Sequence, residues 1–95
     1  MNSTITAQLI NKEQIVFLKF PKEEVLDKKE AIKNRCADLK RAMALGNLER
    51  GKVNILFKDN LGLKRVETTI WGVTDVAVIL KKRTIIPLRR IISIA

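Results

Sequence analysis

The stretch that decides the fold is 51-GKVNILFKDNLGLKRVETTIWGVTDVAVILKKRTIIPLRRIISIA-95. Four short runs rich in β-branched residues are separated by Asn60-Leu61-Gly62, by residues 72–75 and by Lys81-Lys82-Arg83. Val53, Ile55 and Phe57 alternate with Asn54, Leu56 and Lys58, and Asp59-Asn60-Leu61-Gly62 then supplies a turn. Val66, Thr68 and Ile70 alternate with Arg65, Glu67, Thr69 and Trp71, and Val76, Val78 and Leu80 continue the pattern. A period of two describes strands with one apolar face. Runs this short, with turns this frequent, predict a small, strongly bent antiparallel barrel over 51–95. Pro87 cannot donate a ladder hydrogen bond, so the last run must kink there or follow a sheet edge.

Upstream, Ile5, Ala7 and Leu9 alternate with Thr4, Thr6 and Gln8, Asn11-Lys12 reads as a tight turn, and 15–20 is a nearly continuous β-prone apolar run. These features predict a β-hairpin over 3–20. Pro21 suits a first helical position, and Glu23 and Glu24 then oppose the positive end of the helix dipole. Val25, Ile32, Cys36, Leu39 and Met43 form one stripe, and Gly46 offers a left-handed stop, so the spacing predicts an amphipathic helix over 22–46. The simplest place for its stripe is over one end of the barrel. A second copy of the same helix is the alternative. The expected fold class is α+β in a single domain: hairpin, long helix, small barrel.

The succession of strands starting at Lys52, Val66, Val76 and Ile86 resembles the pattern of Sm-like and related SH3-like small barrels. It also resembles uncharacterised small bacterial proteins with a similar ending. The likeness covers the C-terminal half, and its alternations and turns are ones that any compact barrel needs. It implies RNA binding and assembly into rings. The hairpin and long helix depart from the family pattern, and no aligned Asp/Asn-and-Gly signature of an Sm RNA pocket is present.

The 95 residues include 19 Lys and Arg against 10 Asp and Glu, a formal charge of +9. Two-thirds of that excess falls on 49–95, where ten basic side chains face four acidic ones. Such a concentration fits a polyanionic partner, while scattered lysines that keep a small protein soluble give the plainer reading. The single cysteine excludes an intramolecular disulfide and suits a reducing compartment, and its place on the apolar stripe predicts a small buried hydrophobe. The amino terminus lacks the pattern of a secretory signal, and Lys81, Lys82, Arg83, Arg89 and Arg90 interrupt 76–95 too often for a bilayer span. A cytoplasmic protein without a membrane partner is the expectation.

No histidine is present, which removes the usual general base and the commonest metal ligand, and one cysteine cannot build an ordinary zinc site. Gly46, Gly51, Gly62 and Gly72 never approach phosphate-loop spacing. Asp59, Glu67 and Asp75 read as solvated turn and strand carboxylates, not as a catalytic pair. The expectation is therefore a non-enzymatic binding module without cofactor or metal.

The candidate nucleic-acid surface is Lys64, Arg65, Trp71, Lys81, Lys82, Arg83, Arg89 and Arg90. If Glu67, Thr69 and Trp71 face outward, a flat aromatic beside cations can stack a base while the cations hold phosphates. The competing role for Trp71, and the favoured one, is to seal the barrel against the helix. Only Phe17, Phe20 and Phe57 join it as aromatics, so no extended stacking platform is possible and phosphate contacts would dominate. An alternative from another class is a protein-interaction or self-assembly module, motivated by the apolar end Ile91-Ile92-Ser93-Ile94.

Overall fold

One strand, bent at Thr69, organises the molecule. In β3 (Leu63–Thr68) and β4 (Ile70–Val73) the alternation runs unbroken through the bend: Lys64, Val66, Thr68 and Ile70 are buried, while Arg65, Glu67 and Trp71 face water. The two halves belong to different sheets. The computed structural model describes residues 7–49, 52–81 and 84–94. Before β3 come β1 (Gln8–Ile10), a 3-10 helix (Lys12–Phe17), an irregular strap over 18–28, α1 (Lys29–Glu49) and β2 (Val53–Lys58). After β4 come β5 (Ala77–Leu80), β6 (Ile85–Pro87), a 3-10 turn (Leu88–Arg90) and β7 (Ile91–Ile94).

The first sheet has the order β1-β3-β2-β7 and the second β4-β5-β6. Every pairing is antiparallel except β1 with β3. Register lines up Ile10, Val66, Ile55 and Ile94 across the inner face of the first sheet, and Leu9, Arg65, Leu56 and Ser93 across its outer face. The inner row joins Phe57, Ile70, Val78, Leu80, Ile86 and Ile91 in one core, closed by Leu39 and Ala42 of α1 and by Ile15. Phe20 of the strap reaches Phe57, with ring centroids 6.0 Å apart.

The β2–β3 hairpin turns where expected. Asp59 Oδ1 accepts from the N–H of Leu61 and of Gly62, each at 2.9 Å, and the Asp59 N–H donates to the Gly62 carbonyl at 3.1 Å. Gly62 adopts φ 144°, where a side chain would be strained. Pro87 lies in β6, an edge of the second sheet, which leaves its missing donor harmless.

Three expectations are corrected. Instead of a hairpin over 3–20, β1 is three residues long and pairs in parallel with β3, and the apolar run that follows begins as a 3-10 helix. Gln14 directs this: its N–H donates to the Asn11 carbonyl and its side chain accepts from the Asn11 N–H, both at 2.9 Å. Only Ile15 of that helix is buried, leaving Val16 and Phe17 exposed; residues 3–6 of the expected hairpin lie outside the described residues.

The helix spans Lys29–Glu49, not 22–46. Tertiary bonds hold the strap out of the helix: the Val25 N–H donates to the Arg89 carbonyl at 2.8 Å, and Arg90 donates to the Glu23 carbonyl at 2.8 Å. The helix also runs through Gly46, and its buried face is Arg35, Leu39 and Ala42, so Cys36 is exposed. Arg35 turns inward because its guanidinium grips Glu24 through two 2.7 Å bonds and donates to the Ile91 carbonyl at 3.0 Å.

Lastly, the strands form two sheets linked through the bent strand, and no hydrogen-bonded closure into a barrel occurs among the described residues. The last run forms β7, the outer strand of the first sheet beyond β2; its Ile91 is buried in the core and α1 packs against it.

Arg90 anchors the assembly. Its guanidinium donates to the carbonyls of Lys58 (2.9 Å), Glu23 (2.8 Å) and Asp59 (3.3 Å). Arg90→Ala should lower unfolding stability by about 3 kcal/mol, because buried carbonyls lose a charged donor. Arg89→Ala, at an exposed neighbour, should stay within about 0.5 kcal/mol. Urea unfolding of the two variants checks this contrast.

Two carboxyls predict the response to acid. Arg35 holds Glu24 below its ordinary value of 4.5. Burial pushes Asp59 up, but the Leu61 and Gly62 N–H groups and the Lys64 ammonium outweigh it and hold Asp59 below 3.8. A carboxyl depressed in the folded state contributes stability above its unfolded value and loses it as pH falls through the folded one. The urea midpoint should therefore be flat from about pH 7 to 5 and fall steadily below about pH 4.5. In Glu24→Gln the midpoint should start lower and the acid decline should be shallower.

Candidate nucleic-acid interface

The unbroken alternation through Thr69 sets the site. With Ile70 directed inward at 1 % exposure, Trp71 must point outward, and it is 61 % exposed. Sealing the core against α1 therefore falls to Ile70, and the favoured expectation of a half-buried Trp71 is corrected. Tryptophan side chains are mostly buried in folded proteins, so one left this open is an informative departure.

Trp71 lies in an open groove of about 920 Å³. Glu67, Thr68, Thr69, Ile70 and Trp71 of the bent strand form one side. The end of β1 and the start of the 3-10 helix contribute Leu9, Ile10, Asn11, Lys12 and Glu13, and Lys52 and Lys81 complete the lining. Lys12, Lys52 and Lys81 make no ion pair among the described residues, nor do Glu13 and Glu67. Among the described residues the groove thus offers one flat aromatic face, three free ammonium groups and two free carboxylates.

The eight residues singled out from sequence divide into five groups. Trp71 and Lys81 meet in this groove. Arg65 is exposed on the same strand face, two residues before Glu67. Arg89 is exposed too, but it lines a separate groove of about 660 Å³ with Phe20, Pro21, Cys36 and Val76. Lys82 and Arg83 lie outside the described residues.

Lys64 and Arg90 are removed from the interface. The Lys64 ammonium is buried 3.4 Å from Asp59, and Arg90 is buried against three carbonyls. Alternation on β3 places Lys64 opposite in face to Arg65, so the two could never have flanked one ligand. Asp59 is likewise no solvated carboxylate: it is 1 % exposed and organises the turn.

Sequence reasoning missed Lys12, Lys52, Glu13 and Asn11. Lys52 had a usable signal, since it directly precedes β2, and Val53 pairs with Thr68 beside the bend. Lys12 had none, because it reaches the groove through the parallel pairing of β1 with β3.

No protein-family model matches the chain, and neither the curated proteins nor the solved structures searched show a significant match to it. The groove must be read from its own chemistry. Among the described residues no three His, Cys, Asp or Glu side chains gather to hold a metal, and no helix is long and apolar enough to cross a membrane.

Because most of its surface is already in water, Trp71→Ala should change unfolding stability by less than about 1 kcal/mol. Ile70→Ala, one residue away and buried, should cost about 2–4 kcal/mol. Comparison of the two urea midpoints checks that the alternation holds through the bend.

Proposed function

We propose that this protein is a non-enzymatic binding module that takes single-stranded nucleic acid, RNA above all, in the groove at Trp71. The observation that carries the reading is an indole 61 % exposed in a groove lined by three unpaired lysines. Bases stack on aromatic faces irrespective of sequence, each contributing about 1–3 kcal/mol, while ammonium groups hold the phosphates. With only one aromatic side chain lining the groove, one stacked base with flanking phosphates is the natural occupant. The resemblance of the strand succession from Lys52 to Ile94 to Sm-like and SH3-like small barrels, as analogy, favours the same ligand class. Arg65 extends the cationic track along the strand. A cytoplasmic location belongs to the same reading.

Trp71 is the sole tryptophan, so its own fluorescence reports occupancy. Titration with a single-stranded RNA should quench it, and Trp71→Ala, followed with a labelled RNA, should weaken binding at least fivefold. Lys12→Ala/Lys52→Ala/Lys81→Ala should make the log–log salt slope shallower by about two, as expected for three lost phosphate contacts on a single strand. Unquenched fluorescence at about 150 mM salt would sink the proposal. The exposed Val16, Phe17 and Ile85 would then direct the search to a protein partner.

A further inference from the structure

Within the reading of the groove as a nucleic-acid interface, we infer that it selects guanine, through Glu67. Glu67 and Trp71 both line the groove and lie on the same face of one strand, with Thr69 between them. Their Cα atoms are at most about 13 Å apart by the rise of an extended strand. In the proposed complex a base stacked on the indole turns its edge toward this carboxylate.

An ionised carboxylate only accepts hydrogen bonds, and its two oxygens match two neighbouring N–H donors. Of the four RNA bases, guanine alone has such an edge, in N1–H and the N2 amino group. Adenine and cytosine set an acceptor beside their amino donor, and the N3–H of uracil is flanked by two carbonyls. Each of these three would bring an acceptor against Glu67.

The unpaired state of Glu67 strengthens the assignment. A free carboxylate repels phosphate, so in a groove for a polyanion it weakens every ligand that cannot use it. Guanine converts that repulsion into a pair of charge-assisted bonds. Lys12, Lys52 and Lys81 carry no such preference, since phosphates are the same on every nucleotide.

The test is a Trp71 fluorescence titration of the full chain with four RNA oligonucleotides of equal length: alternating U and G, U and A, U and C, and U alone. Wild type should bind the guanine oligonucleotide about 5- to 10-fold more tightly than the others, the low end of what one bidentate base contact discriminates. Glu67→Gln should bind the three guanine-free oligonucleotides as well or better, having lost a repulsive charge, and the guanine oligonucleotide less well. The affinity ratio should then approach one. Glu67→Asp keeps both oxygens and should retain part of the preference.

Equal wild-type affinities for all four would overturn guanine selection while leaving the groove a nucleic-acid interface. So would a Glu67→Gln variant that strengthens all four alike. If none of the four quenches Trp71, the interface itself is refuted, and guanine selection with it.

Discussion

The guanidinium of Arg90 ties the strap, which lies outside both sheets, to the place where β2 and β7 pair. From the turn between β6 and β7 it donates to the carbonyls of Lys58 and Asp59, where β2 enters its hairpin, and to that of Glu23 in the strap. A guanidinium offers five donors in a rigid fork, so it specifies directions as well as contacts. A 95-residue chain buries a smaller share of its surface than larger domains do, which raises the weight of such buried polar ties. Arg35 repeats the device at the helix, joining Glu24 of the strap to the carbonyl that opens β7.

These inward-facing cations change what the net charge means. Lys64, Arg35 and Arg90 account for three positive charges that hold the fold together and are unavailable to a ligand. Among the described residues, the groove carries three lysines against two glutamates.

The β-rich half was legible because its information is local. Alternation from Val53 to Phe57 and from Arg65 to Trp71 places side chains on faces, and Asp59 with Gly62 encodes the turn through bonds no more than three residues apart. The amino-terminal third misled for the same reason. Its apolar run has strand-like composition, yet Gln14 folds back on Asn11 and only Ile15 finds the core. The start of the helix was misplaced because Pro21, Glu23 and Glu24 are good helix openers, yet Arg35 claims the Glu24 carboxylate, Arg90 the Glu23 carbonyl, and the Arg89 carbonyl the N–H of Val25.

The sequence by itself determined the α+β class, the alternation that sets Arg65 and Glu67 opposite Val66, and the absence of histidine chemistry, since each follows from composition or a period of two; that Trp71 is left open to water was decided by the fold. Only the tertiary structure decided which cations are free. Lys64 differs from Lys81, and Arg90 from Arg89, by nothing in their residue type; one of each pair is paired inside and the other faces water. That distinction depends on partners 31 to 67 residues away for Arg90, a separation at which no local pattern carries information. The groove has the same origin, because β1, the bend at Thr69 and Lys81 meet only once the two sheets are folded onto a common strand.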